Sequence, residues 1–460
     1  MSTDSWGNAI TATRPAHVSA ITGFTHGLLS YEQTLLPVLT EAEQDASDTL
    51  LHAYAAVLWL LSESPNGAGE ARTFVQRARL GVRDALPREA AFLEFVAAWA
   101  DGDLDRAFQL SDGLIAQWPR DLTAIKLRQY LDFNLGRFSE LLRVGLIAQK
   151  AAPEIAYVHG MAAFGYEQCH LMDEAETAAR QALDILPTDP WAQHALAHVM
   201  LTEGRIDEGV QFLESVSAHW DGLNSFMYTH LWWHLALFRL SQGHLDEALD
   251  LYDRHVWGVD TTYSQDQVGA VSLLARLELA GAEVGDRWAA MADHLAGRAG
   301  DVVEPFLSLQ YLHGLLRARR PQAQELLAAI AARAESAVGP AQSAWRDCAQ
   351  PLALGLAALA DDRPEDALRH FRQGLPYLAA IGGSHAQRDL FEQFELQALL
   401  DSHAWSEAQQ VLEKRRGFDP YGVPLNRQLA DVYVHLGLPE LAETARQRIE
   451  RRRVHQDTGL

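Results

Sequence analysis

The sequence predicts an all-α fold, a solenoid of paired antiparallel helices able to curl into a near-closed ring. Three observations predict it. Gly102, Gly136 and Gly204 keep a strict 34-residue phase, and His170 fills the remaining slot. A small side chain follows five residues after three of these four turns (Ala107, Ala175 and Gly209), with Leu141 as the exception. Alternating β-branched runs are missing, while Ala, Leu, Glu, Gln and Arg dominate, as a helical chain requires. A 34-residue period is that of the tetratricopeptide repeat, in which each helix pair buries its apolar face only against its neighbours.

Taken in chain order, residues 1–14 read as a flexible leader and residues 15–87 as N-terminal helices. The stretch Pro65-Asn66-Gly67-Ala68-Gly69 has the composition of a loop. Regular repeats occupy 88–260. The unit at 88–121 has Gly102, Ala107 and Pro119. The one at 156–189 has Phe164, a turn at His170, Asp173-Glu174-Ala175, then Ala182 and Pro187. Ala175 and Ala182 are two helical turns apart and share one face, so the second helix can approach the first closely. Pro187 then ends that helix. Gly243 to Ala248 repeats the pattern after a five-residue insertion. Residues 261–460 read as irregular repeats continuing the same solenoid. Glycines cluster at 281, 285, 297 and 300, and Ala367, Ala408 and Ala442 recur in the equivalent slot.

A hydrophobic content of 48% argues against disorder. The net charge of −23 disfavours nucleic acid and anionic membrane surfaces as partners. Arg446, Arg448, Arg451, Arg452 and Arg453 read as the solvated face of a last helix. Two cysteines, Cys169 and Cys348, make no disulfide framework. No secretory leader is legible and the longest apolar run is too short to cross a bilayer, so the expected location is the cytoplasm. The expected partner is a small-molecule ligand or a peptide, bound by a monomer or homodimer.

Chemistry is expected on the first helix of each pair, which lines the concave face. His194 and His198 are four residues apart on one such helix, and His230 and His234 repeat that spacing on the next. His159 and Glu167 flank Phe164 on the preceding one, and Trp191 and Trp233 add aromatic surface. Histidine titrates near neutrality and serves as acid, base or metal ligand. The expected catalytic set is therefore His194, His198, His230, His234 and Glu167, with His159, Phe164, Gln168, Trp191 and Trp233 as ligand contacts. A divalent metal such as zinc ranks below a metal-free pocket, because Ala195-Leu196-Ala197 lacks the glutamate of an H-E-x-x-H site. No metal ligand is assigned. A second constellation is Gly382 to Asp389, where Ser384 is a candidate N-cap and Arg388 could grip an anion. The activity considered is an acid/base step of hydrolase or lyase type, metal-independent or metal-assisted. The alternative is an interaction scaffold that clasps a peptide or partner helix, although cations such as Lys126 and Arg239 are isolated along these inner helices.

Several segments resemble the tetratricopeptide repeat protein 38 family. Its G-x-x-A-F-G-L-E-E element is similar to Gly160 through Gln168, and P-T-D-x-W-x-x-H-x-x-A-H to Pro187 through His198. H-x-x-W-H-x-A-L is similar to His230 through Leu237, Y-D-x-H to Tyr252 through His255, and V-G-x-R-W to Val284 through Trp288. G-G-S-x-A-Q-R-D is similar to Gly382 through Asp389. The resemblance implies an α-helical repeat and a soluble intracellular protein, without a defined reaction. It adds Tyr252, Asp253, Gln387, Arg388 and Asp389 to the expected ligand contacts. This chain departs from the family at Gln168, where a second glutamate is usual. It departs again at Phe306 to Gln310, where F-N-D-x-H is frequent.

Overall fold

The computed structural model describes residues 2–44 and 48–458. Its described residues are helical nearly throughout, apart from one short antiparallel ribbon pairing Ser2–Thr3 with Ala9–Ile10. Successive helices pack as antiparallel pairs, such as Ala156–Gln168 with Met172–Ile185. The chain forms two compact units. Unit 1 comprises Met1–Leu196 and His219–Met227, and unit 2 comprises Ala197–Ala218 and Tyr228–Leu460. The regular block expected at 88–260 is thus shared between the two.

The in-phase turns have a common cause. Gly102, Gly136, Gly204 and Gly243 all adopt positive φ, and His170 does so without being glycine, at φ 59. Each closes its helix in the same way. The turn residue donates three residues back and its successor five back, as in Gly102 to Trp99 and Asp103 to Ala98, or His170 to Glu167 and Leu171 to Tyr166. These are the two bonds of the Schellman motif, and they satisfy carbonyls that the helix end would otherwise orphan. Ala107, Ala175 and Ala248, five residues beyond their turns, are fully buried. At Gly209 an added methyl would come within 2.3 Å of the Phe238 ring, so this slot sets how closely two helices meet.

Helix pairing persists beyond 260. Further left-handed turns fall at Gly281, Arg319, Asp362, His403 and Gly437. The 34-residue phase slips because the elements change pitch. π-helical segments occupy Tyr252–Val256 and Ser343–Ala349, and 3-10 segments Ala296–Arg298 and Leu375–Ile381. Each adds or removes part of a turn without breaking the stack.

Three expectations are corrected. The leader is ordered rather than flexible. Asp4 Oδ1 accepts the backbone N–H groups of Trp6 and Asn8, each at 2.9 Å, and Trp6 is buried, donating its indole N–H to Thr25 O at 3.0 Å. An Asx turn and one large aromatic are enough to tie down a segment that composition marked as free. The 65–69 stretch is a loop only up to Asn66, because a helix begins at Gly67. A methyl on Gly67 would fall 2.5 Å from Trp59 O, so glycine there serves a close backbone approach. The basic tail is not uniformly solvated, since buried Arg452 donates to Asp207 at 2.6 Å. The side chain of Arg453 lies outside the described residues.

Unit 2 returns on itself. The loop between helices Trp405–Arg416 and Val423–His435 packs onto the turns of Gly204 and Gly243. Ser241 Oγ donates to Asp419 Oδ2 at 2.6 Å, and Asp207 accepts from both Gln242 and Arg452. A methyl on Gly204 would lie 2.3 Å from Phe418 O, and one on Gly243 2.7 Å from Val423 Cγ1. Gly102 has a comparable φ of 76 but meets nothing. Gly102→Ala should therefore cost about 1–2 kcal/mol for the left-handed backbone alone. Gly204→Ala should cost more, through the added clash with backbone. Urea denaturation of both variants checks this, and equal losses would contradict the packing of residues 418–423 on that turn.

Candidate functional site

The polar centre of unit 2 is built from four helices. Helix Ser225–Gln242 carries His230, Trp233 and His234. A four-residue spacing puts the two imidazoles on one face, 4.8 Å apart between ring centroids and nearly perpendicular. His198, from helix Pro190–Thr202, brings its ring to 4.6 Å from that of His234. His385, the first residue of helix His385–Asp401, comes to 5.6 Å from His198. His198, His230 and His234 are buried and His385 is half-buried. Trp233 stacks on His230 at 5.2 Å and meets His234 edge-on at 4.8 Å.

The fourth helix, Ser264–Leu279, supplies Arg276. This buried guanidinium donates to Ser272 Oγ and to the backbone oxygens of Ala386 at 2.7 Å and Gln387 at 3.2 Å. It also lies 5.4 Å from the centre of the Trp233 ring. Arg276 thus ties the first turn of the His385 helix to the cluster. Burial pulls its pKa down to about 10, an effect that Asp389 offsets in part.

Burial lowers the basicity of two of these imidazoles. Burial, aided by His198, lowers His230 to about 3. His234 is pushed well below its ordinary value by burial first, then by the charges of His198, His230, His385 and Arg276. A neutral imidazole offers one donor and one acceptor nitrogen, or a lone pair for a metal. Donor atoms of His198, His230 and His234 lie within 4.8 Å of one another. Burial alone does not make such a centre. His313 is also buried and lowered to about 3, yet it packs singly against Phe394 at 4.5 Å and Trp288 at 5.4 Å.

Unit 1 holds the other half of the expected set. Trp191 stacks on His194 at 4.6 Å and meets Phe164 at 4.7 Å. Lys126 Nζ lies 3.9 Å from the centre of the Trp191 ring and 4.9 Å from that of Tyr31. Burial lowers this amine to about 7, while nearby Asp189 pushes the other way. Lys126, noted in the sequence only as isolated, thus sets its amine over two aromatic faces. Glu167 is buried and accepts from Gln168 Nε2 at 2.5 Å. His159 accepts from Gln149 at 3.0 Å through Nδ1 and donates from Nε2 to Pro153 O at 2.8 Å, so its nitrogens hold the preceding helix and the loop after it.

Several expected ligand contacts are structural instead. Asp253 accepts a two-pronged bond from Arg287 at 2.8 and 2.6 Å, which joins the Y-D-x-H and V-G-x-R-W elements. Tyr252 is buried in the apolar core of unit 2. Gln387 completes a capping box with Ser384. Asp389 binds Arg415 at 2.6 and 3.1 Å, and that guanidinium does most to bring it down to about 2 against the effect of burial. Arg388 donates to Gly383 O. The segment 382–389 reaches His198 through His385. Sequence reasoning missed His385 and Arg276, and the one signal for His385 was its position directly after the Ser384 N-cap.

The fold and this cluster define a helical-repeat protein with a buried polar centre. No protein-family model matches the chain. Among solved structures it is similar to the human IFIT1 dimer with m7Gppp-AAAA, at 13% identity over 97% of this chain and 96% of that one, with a TM-score of 0.41. It is similar to the APC/C hetero-tetramer Cut9-Hcn1 at 11% identity over 95% and 94%, with a TM-score of 0.32. For Naa15/Naa10 bound to HypK-THB the identity is 14% over 93% and 63%, with a TM-score of 0.26. The fold class rests on the chain's own helix pairs, and these likenesses add no function to it. Among the described residues no helix is long and apolar enough to cross a membrane.

Two outcomes follow from the site's construction. Arg276→Met should destabilise unit 2 by about 1.5–3 kcal/mol, the usual worth of hydrogen bonds to a charged group. Hydrogen exchange should rise first at the start of helix His385–Asp401, and an unchanged exchange pattern there would refute the tie. His313 binds fewer protons folded than unfolded, so its contribution is intact above about pH 6.5 and is lost as pH falls toward 3. His313→Leu should flatten the fall of melting temperature between pH 6.5 and 4, as measured by calorimetry.

Proposed function

We propose that the histidine cluster of unit 2 binds a small polar ligand and moves protons on it, in an acid/base step of hydrolytic type. The observation that carries this reading is the convergence of four imidazoles and one guanidinium from four helices. Packing has no need of such a set. Taking each polar side chain out of water costs free energy that an apolar residue would not, and a binding role offsets that cost. The division of labour follows from surroundings. His198, His230 and His234 are buried and held on packed helices, suited to orient a ligand. Half-buried His385 is suited to exchange a proton with solvent. Arg276 supplies the positive field for an anionic group.

We further infer membership of the tetratricopeptide repeat protein 38 family. Support comes from the motifs themselves: His198, His230, Trp233 and His234 all match residues of elements that carry the resemblance. The net charge of −23 supports a metabolite over a nucleic acid, and a cytoplasmic monomer or homodimer fits the same composition. The runner-up, an interaction scaffold, draws on an open surface groove of about 540 Å³ flanked by Leu368, Arg369, Arg372 and Glu407. A peptide with alternating charge would suit those residues.

Ligand-dependent melting shifts over a metabolite library separate the two readings. Wild type should gain several degrees with one compound class. His198→Ala and His234→Ala should lose that gain, and Arg372→Ala should keep it. Identical responses from all four proteins would sink the pocket reading.

A further inference from the structure

We propose that His198, His230 and His234 form a three-histidine site for a divalent transition-metal ion of the zinc, cobalt or nickel class. The inference rests on the reading of this cluster as the functional centre, and it names what the cluster holds. Two observations point to it. The donor atoms of these side chains lie within 4.8 Å of one another. Ligand nitrogens around one zinc ion sit about 2.0–2.1 Å from the metal, so small side-chain rotations bring three such donors into one shell. The scaffold is suited to it, because His230 and His234 are one turn apart on a helix and His198 faces them from a second helix.

Donor chemistry selects the ion. Imidazole nitrogen suits zinc, cobalt, nickel and copper, whereas magnesium and calcium take carboxylate and carbonyl oxygen. Half-buried His385, 5.6 Å from His198, stands beside this donor set. Charge selects the occupant. A divalent ion on these imidazoles adds positive charge to a centre that already holds the buried Arg276 guanidinium. Hydroxide or an anionic ligand group restores the balance. The same ion would polarise a carbonyl or phosphoryl oxygen, which extends the hydrolytic reading.

The test uses the full chain, stripped with a chelator and titrated with zinc and with cobalt(II). Wild type should take up one equivalent of either, melt several degrees higher with zinc, and give the visible absorption of tetrahedral cobalt. His234→Ala and His198→Ala should bind at least tenfold more weakly. His313→Ala, altered outside the cluster, should bind as wild type does. A wild-type chain that binds neither ion stoichiometrically overturns the proposal, whatever the variants do. So does uptake that the His198 and His234 variants share in full. Metabolite binding by the stripped wild type, lost in the His198 and His234 variants, would leave the pocket reading standing while removing the metal. Absence of both metal and metabolite binding would remove both.

Discussion

The whole architecture depends on how closely one helix can approach the next. A helix pair has no core of its own, and its apolar face is buried only if the following pair comes into contact. That approach needs two things at every repeat, a reversal tight enough to bring the second helix back and a side chain small enough to let it in. The left-handed residue with its two Schellman bonds provides the first. The fully buried alanine five residues on provides the second. His170 is instructive because it adopts the left-handed conformation without the freedom of glycine. Bonds from His170 and Leu171 to the preceding turn hold it there at a local cost of order 1–2 kcal/mol.

A stack built this way can bury polar side chains between its helices, and unit 2 does so. Helix Ser225–Gln242 turns Trp233 toward the apolar core while His230 and His234 meet His198. The return of the 418–423 loop onto Gly204 and Gly243 closes the unit, and Arg276 fastens the His385 helix to the same place. Rigidity of this kind matters for a polar centre. Each imidazole must be held within a fraction of an ångström of a productive position, and packed helices hold side chains better than loops do. Buried imidazoles beside a guanidinium are costly to assemble, which is why they point to a role beyond packing.

Part of this centre could be read directly. The paired spacings at 194/198 and 230/234 report helix faces, because neighbours four apart must share one. The leader and the Asn66-Gly67 region were misread for a common reason, since local composition cannot register a distant partner such as Thr25 for Trp6. Asp253 enters the expected contacts through a motif of the resemblance, yet it answers Arg287 of a neighbouring element. Arg388 attracts attention through its donors, one of which goes to the Gly383 carbonyl five residues back.

Local sequence therefore determined the helical class, the turn positions, the small-residue contacts and which histidines share a helix face, because each is set by interactions within a few residues. Tertiary structure alone decided that Asp207 meets Arg452, that Arg276 reaches the backbone of residues 386 and 387, and that His385 joins His198. Those partners are separated by a hundred residues or more. Their meeting depends on the summed pitch of many helix pairs, altered by the π and 3-10 segments, and no local pattern encodes that sum.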